Sequence, residues 1–225
     1  MKKKIIIIVL ALIVVSGGVY LYLMNTWGEA KSEIKELKIT QVSEKVESES
    51  GIEINDIGEL KGTYLTYDID SSTSELMFSL EAMQGTVGKF KKFEVEFSAG
   101  EEASIKVEID PGSVYTANRT RDESLIDVGF FEVNKYPSIL FESLSIELTD
   151  SNYIANGTIT MLGIEADLKI PFIYKGKSEN YKGLEVAIFE GKFTIDRTNY
   201  GMEHTASVGD DVSVSFTVQL EKQNE

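Results

Sequence analysis

One histidine, His204, and no cysteine occur in the 225 residues of this chain. A serine nucleophile needs a neighbouring base, and no Gly-x-Ser-x-Gly turn surrounds any serine here. One imidazole without a thiolate cannot complete a structural zinc site. The 37 acidic residues are numerous enough that chance carboxylate pairs are expected, so acid–base chemistry is not indicated by pairing alone. Gly209-Asp210-Asp211 places its acids in a turn, where they are ordinary, and no calcium ligand array surrounds them. Two short glycosylation sequons, Asn118-Arg119-Thr120 and Asn156-Gly157-Thr158, carry no weight by themselves. The expectation is a protein with no catalytic residue, no metal and no cofactor. Arg121 beside Asp122 has two readings: a planar fork that holds a phosphate or carboxylate head, or a structural pair that fixes its own loop.

The segments that must position these residues show a period of two. Leu76, Phe78 and Leu80 alternate with polar or small neighbours, as do Phe93, Val95 and Phe97, and Ile105, Val107 and Ile109. The pattern returns at Ile139 and Phe141, from Ile164 through Phe172, at Val186 and Ile188, and from Val212 through Leu220. Alternation gives each strand one apolar face and one wet face. Asp110-Pro111-Gly112, Asp150-Ser151-Asn152, Lys175-Gly176-Lys177 and Gly209-Asp210-Asp211 read as the turns between them. Seven or eight antiparallel strands must cover their edges. A closed barrel does so, and a two-sheet sandwich with a filled core remains open at this point.

Residues 5–24 carry no charge and follow Lys2, Lys3 and Lys4. A helix of that length spans the roughly 30 Å of bilayer hydrocarbon, with the lysines on the cytoplasmic side and the remainder exported. A cleaved signal peptide is the alternative, with its apolar core ending near Ser16-Gly17-Gly18. Residues 43–51, rich in Glu and Ser, read as part of a solvated tether. The expected organisation is a membrane anchor or signal segment at 1–27, an acidic linker at 28–60 and a β domain at 61–225. The formal net charge of −15 opposes binding to nucleic acid.

An ordered set of short segments then resembles a known family. The set begins with Tyr67-Asp68-Ile69-Asp70, a strand through Phe78, and Gly88-Lys89-Phe90-Lys91-Lys92-Phe93. It continues with residues 113–116, Arg121-Asp122-Glu123-Ser124-Leu125, Phe130-Phe131, Tyr136-Pro137 and Phe141. It ends with residues 157–160, Gly163, residues 197–202 and Val208-Gly209-Asp210-Asp211-Val212. Together these are similar to the YceI-like family of exported bacterial lipid-binding proteins. The resemblance implies an all-β fold: an extended, antiparallel, eight-stranded lipocalin-like barrel behind the N-terminal helix. It also implies a tunnel for a long-chain isoprenoid or other apolar lipid, and a periplasmic or other extracytoplasmic address. The chain departs from the family pattern at Ser124, where a histidine is common, and at Leu162, where a polar residue or histidine is common. A glycine that usually follows Phe93 is also missing, with Glu94 and Glu96 there instead.

The expected tunnel wall consists of Phe78, Phe90, Phe93, Phe130, Phe131, Phe141, Met161 and Phe172, with Arg121 at the head. Phe130 and Phe131 are expected to open a short plug over one end. Each buried CH₂ of a bound chain contributes roughly 0.8 kcal/mol, so an apolar wall needs few polar contacts. A solid core packed from the same side chains is the competing reading.

Overall fold

The computed structural model describes residues 55–67, 73–80, 85–204 and 208–224. The expected anchor at 1–27 and residues 28–54 of the expected linker lie outside them. The strands are β1 (Gly62–Thr66), β2 (Glu75–Leu80), β3 (Thr86–Phe90), β4 (Phe93–Ala99), β5 (Ser104–Ile109) and β6 (Val114–Tyr115). After a short helix, α1 (Arg119–Leu125), come β7 (Ile139–Leu148), β8 (Tyr153–Met161), β9 (Ile164–Glu179), β10 (Glu185–Asp196) and β11 (Asp211–Lys222).

Every pairing is antiparallel, and the ring closes where β11 meets β1, with Thr66 opposite Leu220. The first three strand positions are each broken in two. β11 pairs with β2 along residues 212–217 and with β1 along 220–222, so β1 and β2 are successive pieces of one strand. In the same way β3 and β4 flank the kink at Lys91-Lys92, and β5 and β6 flank the turn at Pro111–Ser113. Counted by position the barrel has eight strands in up-and-down order. Closure leaves the sandwich alternative without support and removes the free edges that an open sheet would expose.

The barrel has two unlike ends. We call base the end formed by residues 55–61 and the links 149–152 and 180–184, and rim the end formed by 116–138, 162–163 and 197–210. Residues 55–60, expected to finish a solvated linker, belong to the folded domain. A single 3-10 turn at Ile57–Glu59, capped by the Asp56 side chain, drives Leu60 into the base, where only 1% of it is exposed. Lys175-Gly176-Lys177 is not a turn either. It lies within β9, where Lys175 is an extra residue opposite the Ile188–Phe189 step and Gly176 takes φ +105°. The bulge shifts the face of β9 alone; β10, in unbroken register with β11, carries Ala187 and Phe189 inward. The true link runs over 180–184, held by the Asn180 side chain accepting from the Lys182 and Leu184 amides.

Three glycines set the inner diameter. Gly88 lies opposite Phe78 and Gly191 opposite Phe216, and a ring covers each glycine Cα. Gly157 lies beneath Phe141 from the neighbouring strand. A Cβ at Gly157 would stand 2.8 Å from the Phe141 Cζ and collide with the Glu142 carbonyl. Each ring therefore lies flat along the wall instead of crossing the interior. Gly157→Ala is expected to cost about 1–3 kcal/mol by overpacking. Leu60→Ala is expected to cost about 2–5 kcal/mol by emptying the base. Urea unfolding followed by far-UV circular dichroism measures both, and an unchanged midpoint for either variant contradicts the packing described.

Candidate functional site

The interior divides along the barrel axis. Toward the base it is filled by rings: Phe189 lies 5.1 Å from Phe97, 5.3 Å from Tyr174 and 5.9 Å from Phe172, centroid to centroid. Tyr153 stacks on Phe172 at 5.5 Å, and Tyr64 meets Phe97 edge-on at 6.5 Å. Toward the rim the inward positions are mixed: Phe93, Ile139, Phe141 and Met161 are buried, while others, mostly aliphatic, are only partly buried. Val107, Ile109, Ala166, Leu168, Ile170, Ile195, Val214 and Phe216 pack against the core yet keep solvent access. The registers turn all of them inward. The inner face is thus packed less completely there than at the base.

The expected wall residues separate accordingly. Phe78, Phe90 and Phe131 form a chain of ring contacts at 5.5 and 5.6 Å on the rim side. Phe93, Phe141 and Met161 are buried inner-face residues of the core. Phe172 belongs to the aromatic fill near the base. Phe130, half-buried, has its amide bonded to the Asp127 carbonyl in the 116–138 link and is not part of the core cluster.

The wall is not continuous. β9 pairs with β8 from Ile164 to Phe172, whereas β10 pairs with β9 only up to Gly191 opposite Phe172. Pro171 stands where the second ladder stops. It has no amide hydrogen to continue a ladder, which makes the rimward half of β9 an edge. Alongside this seam lies the link 197–210. Its Tyr200 and Met202 are buried in the core, and Gly201 meets the Ile164 side chain. Arg197, 3% exposed, ties the link together. Its Nε donates to the Gly209 carbonyl and its Nη1 to the Glu203 carbonyl, both at 2.7 Å, and Nη2 pairs with Asp210 at 3.4 Å. His204 Nδ1 lies 2.7 Å from the other Asp210 oxygen on the exposed side. The lone histidine is thus engaged with the link and stands apart from any serine hydroxyl partner among the described residues.

The YceI-like domain pattern matches residues 67–220. This chain belongs to the YceI-like domain family. A UPF0312 protein of Pseudomonas putida strain F1 is 28% identical over 141 residues, 60% of this chain and 73% of that protein. Among solved structures, the Campylobacter jejuni YceI protein is 26% identical and superposes with a TM-score of 0.55, covering 61% of this chain and 85% of its own. BcnA of Burkholderia cenocepacia superposes at 0.60 with 20% identity, over 69% and 99% of the two chains. A Saccharophagus degradans domain described as polyisoprenoid-binding superposes at 0.55 with 14% identity, over 73% and 100%. The last two likenesses concern the fold. Residues 55–66, which close the base, precede the matched region.

That base is latched by three tyrosines that no spacing rule singled out. Tyr174 Oη donates to Glu59 at 2.6 Å, and Tyr64 Oη donates to Glu185 at 2.6 Å. The Ile57 amide donates to Tyr153 Oη at 3.2 Å. Burial, reinforced by these carboxylates, pushes the Tyr64 and Tyr174 phenols well above their ordinary value. The Tyr64 bond in turn holds Glu185 below the usual carboxylate value, with Lys222 at 3.7 Å acting in the same direction. A carboxyl lowered in the folded state adds stability above its unfolded value, about 4.3, and loses it as pH falls through the lowered value. Stability should therefore fall with acid in that range, and Tyr64→Phe should flatten the slope. Urea midpoints measured across the acid range check this, and equal slopes in both proteins remove the assignment.

Proposed function

We propose that this YceI-like protein is a non-catalytic carrier that holds a long apolar lipid in the rim half of its barrel. The observation that carries the reading is the division of the interior. An aromatic fill closes the base, while inward aliphatic side chains toward the rim keep solvent access. A single-mouthed apolar lumen suits one extended chain entering from the rim, gaining roughly 0.8 kcal/mol for each CH₂ it buries. Flat rings over Gly88, Gly157 and Gly191 keep the bore free for that chain. The neighbour described as polyisoprenoid-binding supports an isoprenoid as the ligand class. The apolar stretch at residues 5–24 behind three lysines supports export, attachment to a membrane and a carrier of the cell envelope. The residues offered no catalytic set, and the lumen is lined by groups without acid–base or nucleophilic character.

The test is mass spectrometry of lipids extracted from the full chain purified from its native membrane. About one long-chain isoprenoid or similar amphiphile per protein is expected. Val214→Trp, which fills the lumen from an inward wall position, should lower the bound lipid on the order of tenfold while the circular dichroism spectrum stays native. A barrel that arrives empty and takes up no added lipid overturns the carrier reading and favours an envelope interaction module with a filled barrel.

A further inference from the structure

Closure of the ring leaves local edges wherever one strand outruns its neighbour. Most of them are blunted. The rimward part of β9, unpaired on its β10 side, exposes Glu165, Asp167 and Lys169 and ends at Pro171. The basal part of β9, beyond the end of β8, carries the bulge and exposes Lys175, Lys177 and Glu179. The basal part of β7 differs. Its ladder with β5 runs only from Ile139 to Glu142, after which the Ile105 amide donates to the Ser143 hydroxyl at 2.8 Å. Residues 144–148 keep β8 on one side and have no strand on the other among the described residues. Glu147 is the one charged residue among them, while Leu144 is 81% and Leu148 62% exposed.

The hairpin link fixes which backbone groups face the open side. The Thr149 amide donates to the Asn152 carbonyl at 2.8 Å, which makes these two residues a hydrogen-bonded pair. Such pairs alternate along an antiparallel ladder, and the register sets Leu148 opposite Tyr153 and Ile146 opposite Ala155. The amides and carbonyls of Glu147 and Ser145 therefore point to β8. Those of Ile146 and Leu148 point away from it, toward the side where no described strand runs. Leu144, the extra residue of the β7–β8 irregularity between Ser143 and Ser145, stands in solvent beside them.

This edge is self-complementary. Turned antiparallel upon itself about Ile146, it sets Ile146 opposite Ile146, Leu144 opposite Leu148 and Ser145 opposite Glu147. Ile146 then exchanges its free amide and carbonyl with those of its own copy, and the exposed leucines meet across the two-fold axis. Moving the centre to Glu147 would set two carboxylates directly opposite each other, which is unfavourable. We propose that residues 144–148 pair with the same edge of a second copy of this chain, so that two barrels share a continuous sheet through β7. An isologous contact of this kind closes at two subunits. The net charge of −15 opposes their approach, but salt at physiological strength screens that repulsion beyond about 8 Å. The pairing should therefore tighten as salt is raised.

Sedimentation equilibrium of the full chain in density-matched detergent measures the association. A dimer is expected, and Leu144→Lys combined with Leu148→Lys should raise its dissociation constant at least about tenfold. Both side chains are exposed, so the circular dichroism spectrum should stay native. The chain has no cysteine, which lets introduced thiols report the register. Leu144→Cys protein mixed with Leu148→Cys protein should be joined by a short bismaleimide. Either variant alone should be joined far less, since like positions then lie roughly 14 Å apart along the ladder. A monomer at every concentration overturns the proposal. So does a dimer that the lysines leave unchanged, which another surface must hold, and so does equal joining of Leu144→Cys to itself. Joining of Leu144→Cys to a different protein in native membranes gives the edge to a partner's strand and likewise overturns the pairing of copies. The cross-linking pattern decides the matter even where the lysine variant fails to fold.

Discussion

The ladder along β11 is the constraint on which the rest of the barrel depends. Its twelve residues pair with β10 over their full length on one side and with β2 and then β1 on the other. Without that second set the sheet would end in two unpaired edges, each a row of unsatisfied amides and carbonyls. With it, every other strand inherits a register, and because the side-chain period is two, the register decides which residues face inward. The lumen lining is a consequence of that single closure. So is the placement of the broken strand positions, since β1 and β2 are aligned with one another only through their shared neighbour.

Closure alone makes a ring, and the packing inside it is uneven by design of the sequence. Near the base, contacts among Phe97, Phe172, Tyr174 and Phe189 supply the dense dispersion and edge-to-face terms that aromatic pairs add beyond area, about 0.5–1.5 kcal/mol each. Toward the rim the Phe78, Phe90 and Phe131 rings make such contacts, and the partly exposed aliphatic positions forgo them. Looser packing toward the rim costs stability that the denser base offsets. The same compromise explains the tight polar fastening of the rim links, with Arg197 bridging Glu203, Gly209 and Asp210 and Thr116 bridging Asp122 and Arg121. The link that carries Arg197 adds this fastening to the core contacts of Tyr200 and Met202.

The alternation at Phe93, Val95 and Phe97, or at Val212 through Leu220, made strands legible because one face is wet and the other apolar. The family resemblance was legible as pieces scattered along the chain, and the fold shows what joins several of them. Residues 113–116 meet Arg121-Asp122 through Thr116, and residues 197–202 meet Gly209-Asp210 through Arg197. Where the pattern misled, the cause was local. Gly176 between two lysines resembles a turn, but a bulge uses the same positive φ inside a strand. On β10 the apolar pair Val186 and Ile188 suggested the inward face, but the register with β11 puts Ala187 and Phe189 there. Residues 55–60 looked like tether because Asn55, Asp56 and Glu59 are polar. Their partners, Tyr153 and Tyr174, lie about a hundred positions away, and no short window contains that information. The seam had a visible cause in Pro171, a residue out of place in a central strand, and the bore had one in Gly157 and Gly191.

The described residues begin at Asn55, at the base, and the links 116–138 and 162–163 lie at the other end. Any pull transmitted from the preceding residues arrives first at Leu60 and the tyrosine latches, not at the links around the mouth. The grip of Tyr64, Tyr153 and Tyr174 therefore stands between such a pull and the aromatic packing of the base.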